Sequence, residues 1–252
     1  LSPWTRNGLY DSLSLFQTLT NSPMVLSTLE LNVSQSVGIA SAWLGLVGGI
    51  AWWVHEKHFG SSEFTRKVVH IGTGNVILLA WGLQIPLWVG VAASIFFAGV
   101  ALLSYFFPLL PGIESVGRKS WGTFFYAVSI GVLVAWFWPL HLPQFAAIGI
   151  LIMTWGDGLA ALVGQRWGKH PYQVWDMKKS LEGSLTMTGI SGLITTIVLC
   201  TLPIPPLAIG GIALAVALTA TLLEAFSKLG LDNLTVPLGT AACCFWLSQP
   251  YL

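Results

Sequence analysis

Apolar positions along this chain fall in long continuous runs, and polar positions gather in short stretches between them. About 20 consecutive apolar residues is the length of a helix that crosses a bilayer core. Eight candidate runs are present, at roughly 35–54, 68–84, 87–107, 121–138, 143–163, 184–202, 207–226 and 236–250. The last is short and contains Pro237, so seven spans is the nearest alternative count. A membrane β-barrel is excluded by the same pattern, because its strands alternate apolar and polar side chains. The expected fold is therefore an all-α, polytopic integral membrane helical bundle. Residues 35–252 form a single membrane-embedded domain behind an N-terminal tail, residues 1–34.

The polar stretches differ from one side to the other. Lys57, Arg66 and Lys67 follow the first run, Arg118 and Lys119 the third, Arg166, Lys169, Lys178 and Lys179 the fifth, and Lys228 the seventh. The intervening turns, 84–86, 139–142 and 203–206, have no Lys or Arg. The positive-inside rule then puts the four basic stretches on the cytoplasmic side, or its organellar equivalent. The strict alternation also supports eight spans, since a missing span would break it.

Composition narrows the class. Of the 252 residues 54% are hydrophobic and only 8% charged, against about 25% charged in a soluble domain. Mean hydropathy is +0.74. An ordinary cytosolic enzyme, a disordered chain and a nucleic-acid binder are excluded. Cys200, Cys243 and Cys244 lie in apolar runs with no CxxC spacing, and are expected to be buried thiols rather than disulfides or zinc ligands. Residues 1–31 have Arg6 as their only basic residue, unlike the basic start of a secretory signal or the Arg-rich body of a transit peptide.

The chemistry gathers on the basic side, which favours a site at the membrane boundary over a transporter site at mid-bilayer. Arg66, Lys67 and His70 share one helix face, followed by Gly72 and Gly74. They form either a cationic phosphate-binding corner or a membrane anchor. Arg118, Lys119 and Ser120 precede Trp121, an arrangement that taken alone is an interfacial anchor. Asp157, between Gly156 and Gly158, lies about six residues inside the end of the fifth run, or about 9 Å at helical rise. A carboxylate at that depth is costly unless it is paired or binds a cation. Asp157, Ala160, Ala161, Gly164 and Gly168 share a small-residue face. Lys178, Lys179, Ser180, Glu182, Gly183 and Ser184 lead into the sixth run. Lysine charge, a carboxylate for Mg2+ and a helix N-terminus suit a polyphosphate. Glu224 and Asp232 can complete a metal site with Asp157, or serve as helix caps.

One apparent motif fails. Gly164 and Gly168 are separated by three residues, and Lys169 is followed by His170. A P-loop needs four residues between its glycines and Ser or Thr after the Lys.

Taken in order, five motifs resemble those of the polyprenol and lipid-alcohol kinases, the family that includes dolichol kinase and phytol kinase. They are Arg66-Lys67-x-x-His70, Gly117-Arg118-Lys119-Ser120-x-Gly122-Thr123, Gly156-Asp157-Gly158-Leu159-Ala160 with Gly164, Lys178-Lys179-Ser180-x-Glu182-Gly183-Ser184, and Glu224 with Leu231-Asp232-Asn233-Leu234-Thr235. In appearance the chain is most similar to the phytol kinases of cyanobacteria and plastids. The resemblance implies CTP-dependent phosphorylation of an isoprenoid alcohol, phytol first, with Mg2+. Phytyl phosphate would feed prenyl phosphate salvage and tocopherol-type synthesis. It also implies a bacterial plasma, thylakoid or plastid membrane, with the site on the cytoplasmic or stromal face. On this reading Asp157 is the catalytic base or a metal ligand, and His70 is a secondary catalytic candidate. Lys178, Lys179, Ser180, Arg118, Lys119, Arg66, Lys67, Gly156, Gly158, Gly183 and Ser184 serve phosphates, and Glu182, Glu224 and Asp232 serve the metal. A CTP-dependent dolichol, farnesol or diacylglycerol kinase, a phosphatidate cytidylyltransferase and a transporter are the competing expectations.

Overall fold

A computed structural model describes residues 31–57, 62–106 and 121–252. Most of the N-terminal tail, together with Arg118, Lys119 and Ser120, lies outside the described residues.

Helix α1 (Val33–Glu56) opens on a capping box. The Asn32 side chain accepts from the Gln35 N–H, and the Gln35 side chain accepts from the Asn32 N–H. Where one span is expected over 68–84, two helices stand: α2 (Ser62–Gly74) and α3 (Val76–Gly82). The break falls at Asn75, whose side-chain amide donates to the Ile71 carbonyl at 2.8 Å and competes with the helix backbone. Helices α4 (Leu87–Phe106) and α5 (Gly122–Phe137) follow.

The fifth span is longer than its apolar run and is not uniform. Helix α6 (Pro143–Leu151) passes through a π-helical turn, Ile152–Asp157, into α7 (Gly158–Trp167). The polar residues Gln165 and Arg166 conceal this extension from hydropathy. Next comes an antiparallel hairpin, β1 (Pro171–Val174) and β2 (Met177–Ser180), where the sequence suggests a loop. Helices α8 (Leu181–Leu199), α9 (Pro206–Phe226) and α10 (Asp232–Ser248) complete the bundle before a short 3-10 turn, Gln249–Tyr251. Helix α10 begins four residues before the expected span and takes Pro237 into its body.

Among the described residues, five helical stretches are long and apolar enough to cross a membrane: Val33–Glu56, Leu87–Ser104, Pro143–Trp167, Leu181–Leu199 and Pro206–Phe226. Gly122–Phe137 is a shorter apolar helix. With α2–α3 and α10 they make the expected all-α membrane bundle.

Helix α6 is its centre. Every residue from Phe145 to Leu151 is buried, as suits a helix that is apolar all round. It packs against α3, α5, α8 and α10. A Cβ on Gly149 would sit 2.3 Å from the Pro237 carbonyl oxygen, so only glycine lets α6 and α10 meet backbone to backbone. Phe137, Phe145 and Phe245 close the core beside this crossing, with ring centroids 5.3 to 5.7 Å apart. The cysteines are not uniformly buried, since Cys200 is exposed at the end of α8 while Cys244 is fully buried.

The helices alternate in direction, so the basic segments meet at one end of the bundle. The turns at the other end are tied by apolar packing and a few hydrogen bonds, such as Trp138 Nε1–H to the Ile85 carbonyl at 2.8 Å.

Candidate active site

The basic end is organised around two ion pairs. In the first, Lys67 on α2 donates from Nζ to Asp157 Oδ2 at 2.5 Å, with the Lys67 side chain 5% exposed and that of Asp157 14%. Lys67 is thus not a lysine reaching for the membrane surface. It answers the cost of a carboxylate placed ten residues before the end of α7, about 15 Å at helical rise and deeper than the apolar run suggests. The Arg66 charge also acts on Asp157.

Asp157 is the last residue of the π turn, and several side chains hold that turn. His70 Nε2–H donates to the Met153 carbonyl at 3.1 Å, a partner that only accepts and so fixes the tautomer. The Thr154 hydroxyl donates to the Ile150 carbonyl at 2.6 Å, which leaves the Tyr126 hydroxyl to donate to Thr154 Oγ1, also at 2.6 Å. The His70 ring lies 4.4 Å from that of Tyr126. Gly74 makes room: a Cβ there would fall 2.0 Å from Thr154 Oγ1 and 2.2 Å from the Tyr126 hydroxyl. His70 is therefore engaged in positioning the segment that carries Asp157. The residues flanking Asp157 pack as well, since a Cβ on Gly156 would press on Met187 and one on Gly158 on Ile71.

The second pair joins Lys179 to Glu224. Lys179 Nζ bonds the Glu224 carboxylate and also donates to the Glu224 carbonyl at 2.6 Å. Alternation along β2 separates the adjacent lysines, so Lys179 turns inward while Lys178 is exposed. Ser180 caps α8, its Oγ accepting from the Gly183 N–H at 3.2 Å. Gly183 is buried against Ala160, and the Ser184 hydroxyl is 2.6 Å from that of Tyr172. Glu182 turns away from the other carboxylates, holding His170 Nδ1 at 2.7 Å and the His170 N–H at 3.3 Å. At the hairpin tip, Lys228 lies 5.1 Å from the Trp175 ring and pairs with Asp176, holding that carboxyl below the ordinary carboxylate range.

Asp232 links the two pairs. Its Oδ1 accepts from the Asn233 N–H and side-chain amide, both at 3.0 Å, and the charges of Asp157, Lys67 and Lys179 all act on it. Among the described residues Asp232 carries no ion pair, and no three His, Cys, Asp or Glu side chains converge as a metal cluster. Mg2+ held with a nucleotide needs only one or two carboxylates beside the phosphates, and Asp157 and Asp232 fit that donor set. The segment holding Arg118 and Lys119 leads to Trp121, whose N–H donates to the Leu229 carbonyl at 3.3 Å, three residues before Asp232.

The structure thus brings Lys67, His70 and Asp157 into one group and Lys179, Glu224 and Asp232 into another within electrostatic reach of it. It sets Lys178 and Glu182 apart. Tyr126, Thr154, His170 and Tyr172 carry no signal in the sequence, because their partners lie on other elements.

Beside Lys67 an apolar cavity of about 440 Å3 runs between α1, α2 and the π turn, lined by Trp43, Val47, Phe64, Ile71 and Trp155 among others. An ion pair at the wall of an apolar groove is suited to an amphiphile with one polar end.

Known proteins support the same class. Over 206 residues the chain is 54% identical to phytol kinase of Synechocystis sp., covering 82% of this chain and 88% of that one. The chain belongs to the prenol kinase family. Other relatives of this prenol kinase family member include a probable chloroplastic phytol kinase of Triticum aestivum, 30% identical over 76% of this chain and 70% of that one. The chloroplastic farnesol kinase of Arabidopsis thaliana is 30% identical over 59% of this chain and 50% of its own length. No family model matches the chain, and no solved structure matches it.

Proposed function

We propose that this protein phosphorylates an isoprenoid alcohol, phytol in the first place, with CTP as donor. The observation that carries the reading is the Lys67–Asp157 pair beside an apolar groove, in a chain 54% identical to a phytol kinase. The tail lies in the groove and the hydroxyl meets the pair.

Phosphoryl transfer asks a protein for positioning and charge stabilisation more than for covalent chemistry. Asp157 Oδ2 is engaged by Lys67, and among the described residues Oδ1 carries no hydrogen bond and is available to the alcohol hydroxyl. The alcohol oxygen attacks the γ-phosphorus, the bond from that phosphorus to the β–γ bridging oxygen breaks, CDP leaves, and the hydroxyl proton passes to Asp157. Lys67 keeps Asp157 ionised and oriented beforehand, while Lys179 and Lys178 offer charge to the phosphates. Mg2+, held by Asp232, would supply neutralising charge at the phosphates. The membrane is that of a cyanobacterium or plastid, with the basic end on the cytoplasmic or stromal side.

The test is phosphate transfer by the purified protein in detergent with Mg2+. γ-Labelled CTP and γ-labelled ATP are compared against phytol, geranylgeraniol, farnesol and diacylglycerol. Label in a prenyl monophosphate, from CTP in preference to ATP, is the expected result. Pyrophosphate release with phosphatidate, and no labelled lipid, would move the protein to the cytidylyltransferases.

A further inference from the structure

The groove beside Lys67 ends at a wall. The Trp155 indole N–H donates to Asn75 Oδ1 at 3.0 Å, and these two residues line the 440 Å3 cavity on one side and a second cavity of about 260 Å3 on the other. The second cavity is lined by Leu78, Trp81, Leu151, Ile194 and Ile197, and reaches Thr201 in the turn at the far end of the bundle. The two spaces lie end to end. Phe64 and Lys67 precede Asn75 along α2 on the basic side, and Leu78 and Trp81 follow it along α3 towards the opposite side.

We infer that the Trp155–Asn75 hydrogen bond is a partition that sets how long an isoprenoid tail the enzyme accepts. The inference rests on the prenol kinase reading above. Ligand pockets run from roughly 300 to 1,000 Å3, so the first cavity stands as a site and the second, alone, falls short of one. It is an extension of the first. From Lys67 to Asn75 is eight residues, about 12 Å of helix, and from Asn75 to Trp81 six more, about 9 Å. A tail that outruns the first stretch has to displace the indole. The hydrocarbon tail is the fitting occupant because the first cavity offers only Lys67 and Asn75 as polar neighbours, one beside the reacting group and the other at the wall. The break between α2 and α3 at Asn75 is what presents the acceptor at this depth, and the π turn carries Trp155 across to meet it.

The test compares kcat/KM for geraniol, farnesol, geranylgeraniol and solanesol in the full chain, in Trp155→Ala and in Asn75→Ala. Removing the wall should raise the ratio of long-tail to short-tail kcat/KM about tenfold or more, the scale of discrimination a hydrophobic pocket provides. Asn75→Ala, which keeps the indole but frees it, should move the ratio the same way by less, and serves if Trp155→Ala does not fold. Unchanged ratios in folded variants would overturn the inference while leaving the kinase reading in place. Photolabelling separates the two ideas further. A geranylgeraniol analogue with a diazirine at its tail end should label Ile194 or Ile197 more heavily in Trp155→Ala than in the parent, without any need for turnover. Labelling confined to lipid-facing residues such as Leu207 would sink the groove. The expected labelling in a protein that phosphorylates no prenol would sink the kinase reading alone.

Discussion

Lys67 and Asp157 stand 90 positions apart in the chain and 2.5 Å apart in space. Each explains the burial of the other. Removing one partner of a buried pair leaves an uncompensated charge, at a cost of about 3 kcal/mol or more. Lys67→Met should therefore lower both thermal stability and turnover. Asp157→Asn should cut turnover about a hundredfold or more, the size of a general-base contribution. The double variant, with neither charge, should recover much of the stability in a detergent melting experiment and none of the activity. An active Asp157→Asn enzyme would remove Asp157 from the chemistry.

The two neighbouring lysines of β2 should behave differently. Lys179 is committed to Glu224, so Lys179→Ala should lower the melting temperature as well as raise the KM for CTP. Lys178 is exposed, and Lys178→Ala should raise the nucleotide KM with little change in melting. Unaltered nucleotide kinetics in both variants would mean that this strand lies away from the donor.

Gly74 is a packing test of the turn that carries Asp157. Alanine there puts a methyl within 2.2 Å of both Thr154 Oγ1 and the Tyr126 hydroxyl. Overpacking of this kind costs about 1–3 kcal/mol. A drop in melting temperature together with a lower kcat is expected for Gly74→Ala. Gly189→Ala, on α8 where a Cβ meets open space, should leave both unchanged.

The carboxylates should divide by their partners. Asp232→Ala should raise the Mg2+ concentration needed for half-maximal activity about tenfold or more, the loss seen when even an outer-shell partner of a metal is removed. Glu182 is tied to His170, so Glu182→Ala should leave the Mg2+ requirement unchanged. Equal Mg2+ titrations for Asp232→Ala and the parent enzyme would leave Asp232 as no more than a partner of Asn233.

The spans were legible because hydrophobic length is a local property, and the basic end because charge asymmetry is one too. The depth of Asp157 marked it as a residue in need of a partner, but its choice of Lys67 over a bound cation depends on how α2 and α7 pack, and no local pattern encodes that. The hairpin escaped for a similar reason. Its two-residue turn is Trp175-Asp176, with Trp175 at a positive φ of 59°, in place of the glycine-containing pair that signals such a turn. Contacts from Lys228, some fifty residues on, hold it instead. The π turn has no sequence signature of its own, and the break at Asn75 sits inside an unbroken apolar run. Asp157 was visible as chemistry; the groove and its wall, made by α1, α2 and α6 together, were not.

The Lys67–Asp157 pair also bears on how the protein enters its membrane. Segment α2 carries Arg66, Lys67 and His70, and α2–α3 is not among the stretches apolar enough to cross on their own. During synthesis it leaves the ribosome well before its carboxylate partner exists. Stable residence of α2 in the bilayer must then await the arrival of the fifth span, so insertion cannot run strictly in chain order. Assembly of the reactive site and completion of membrane topology become a single event.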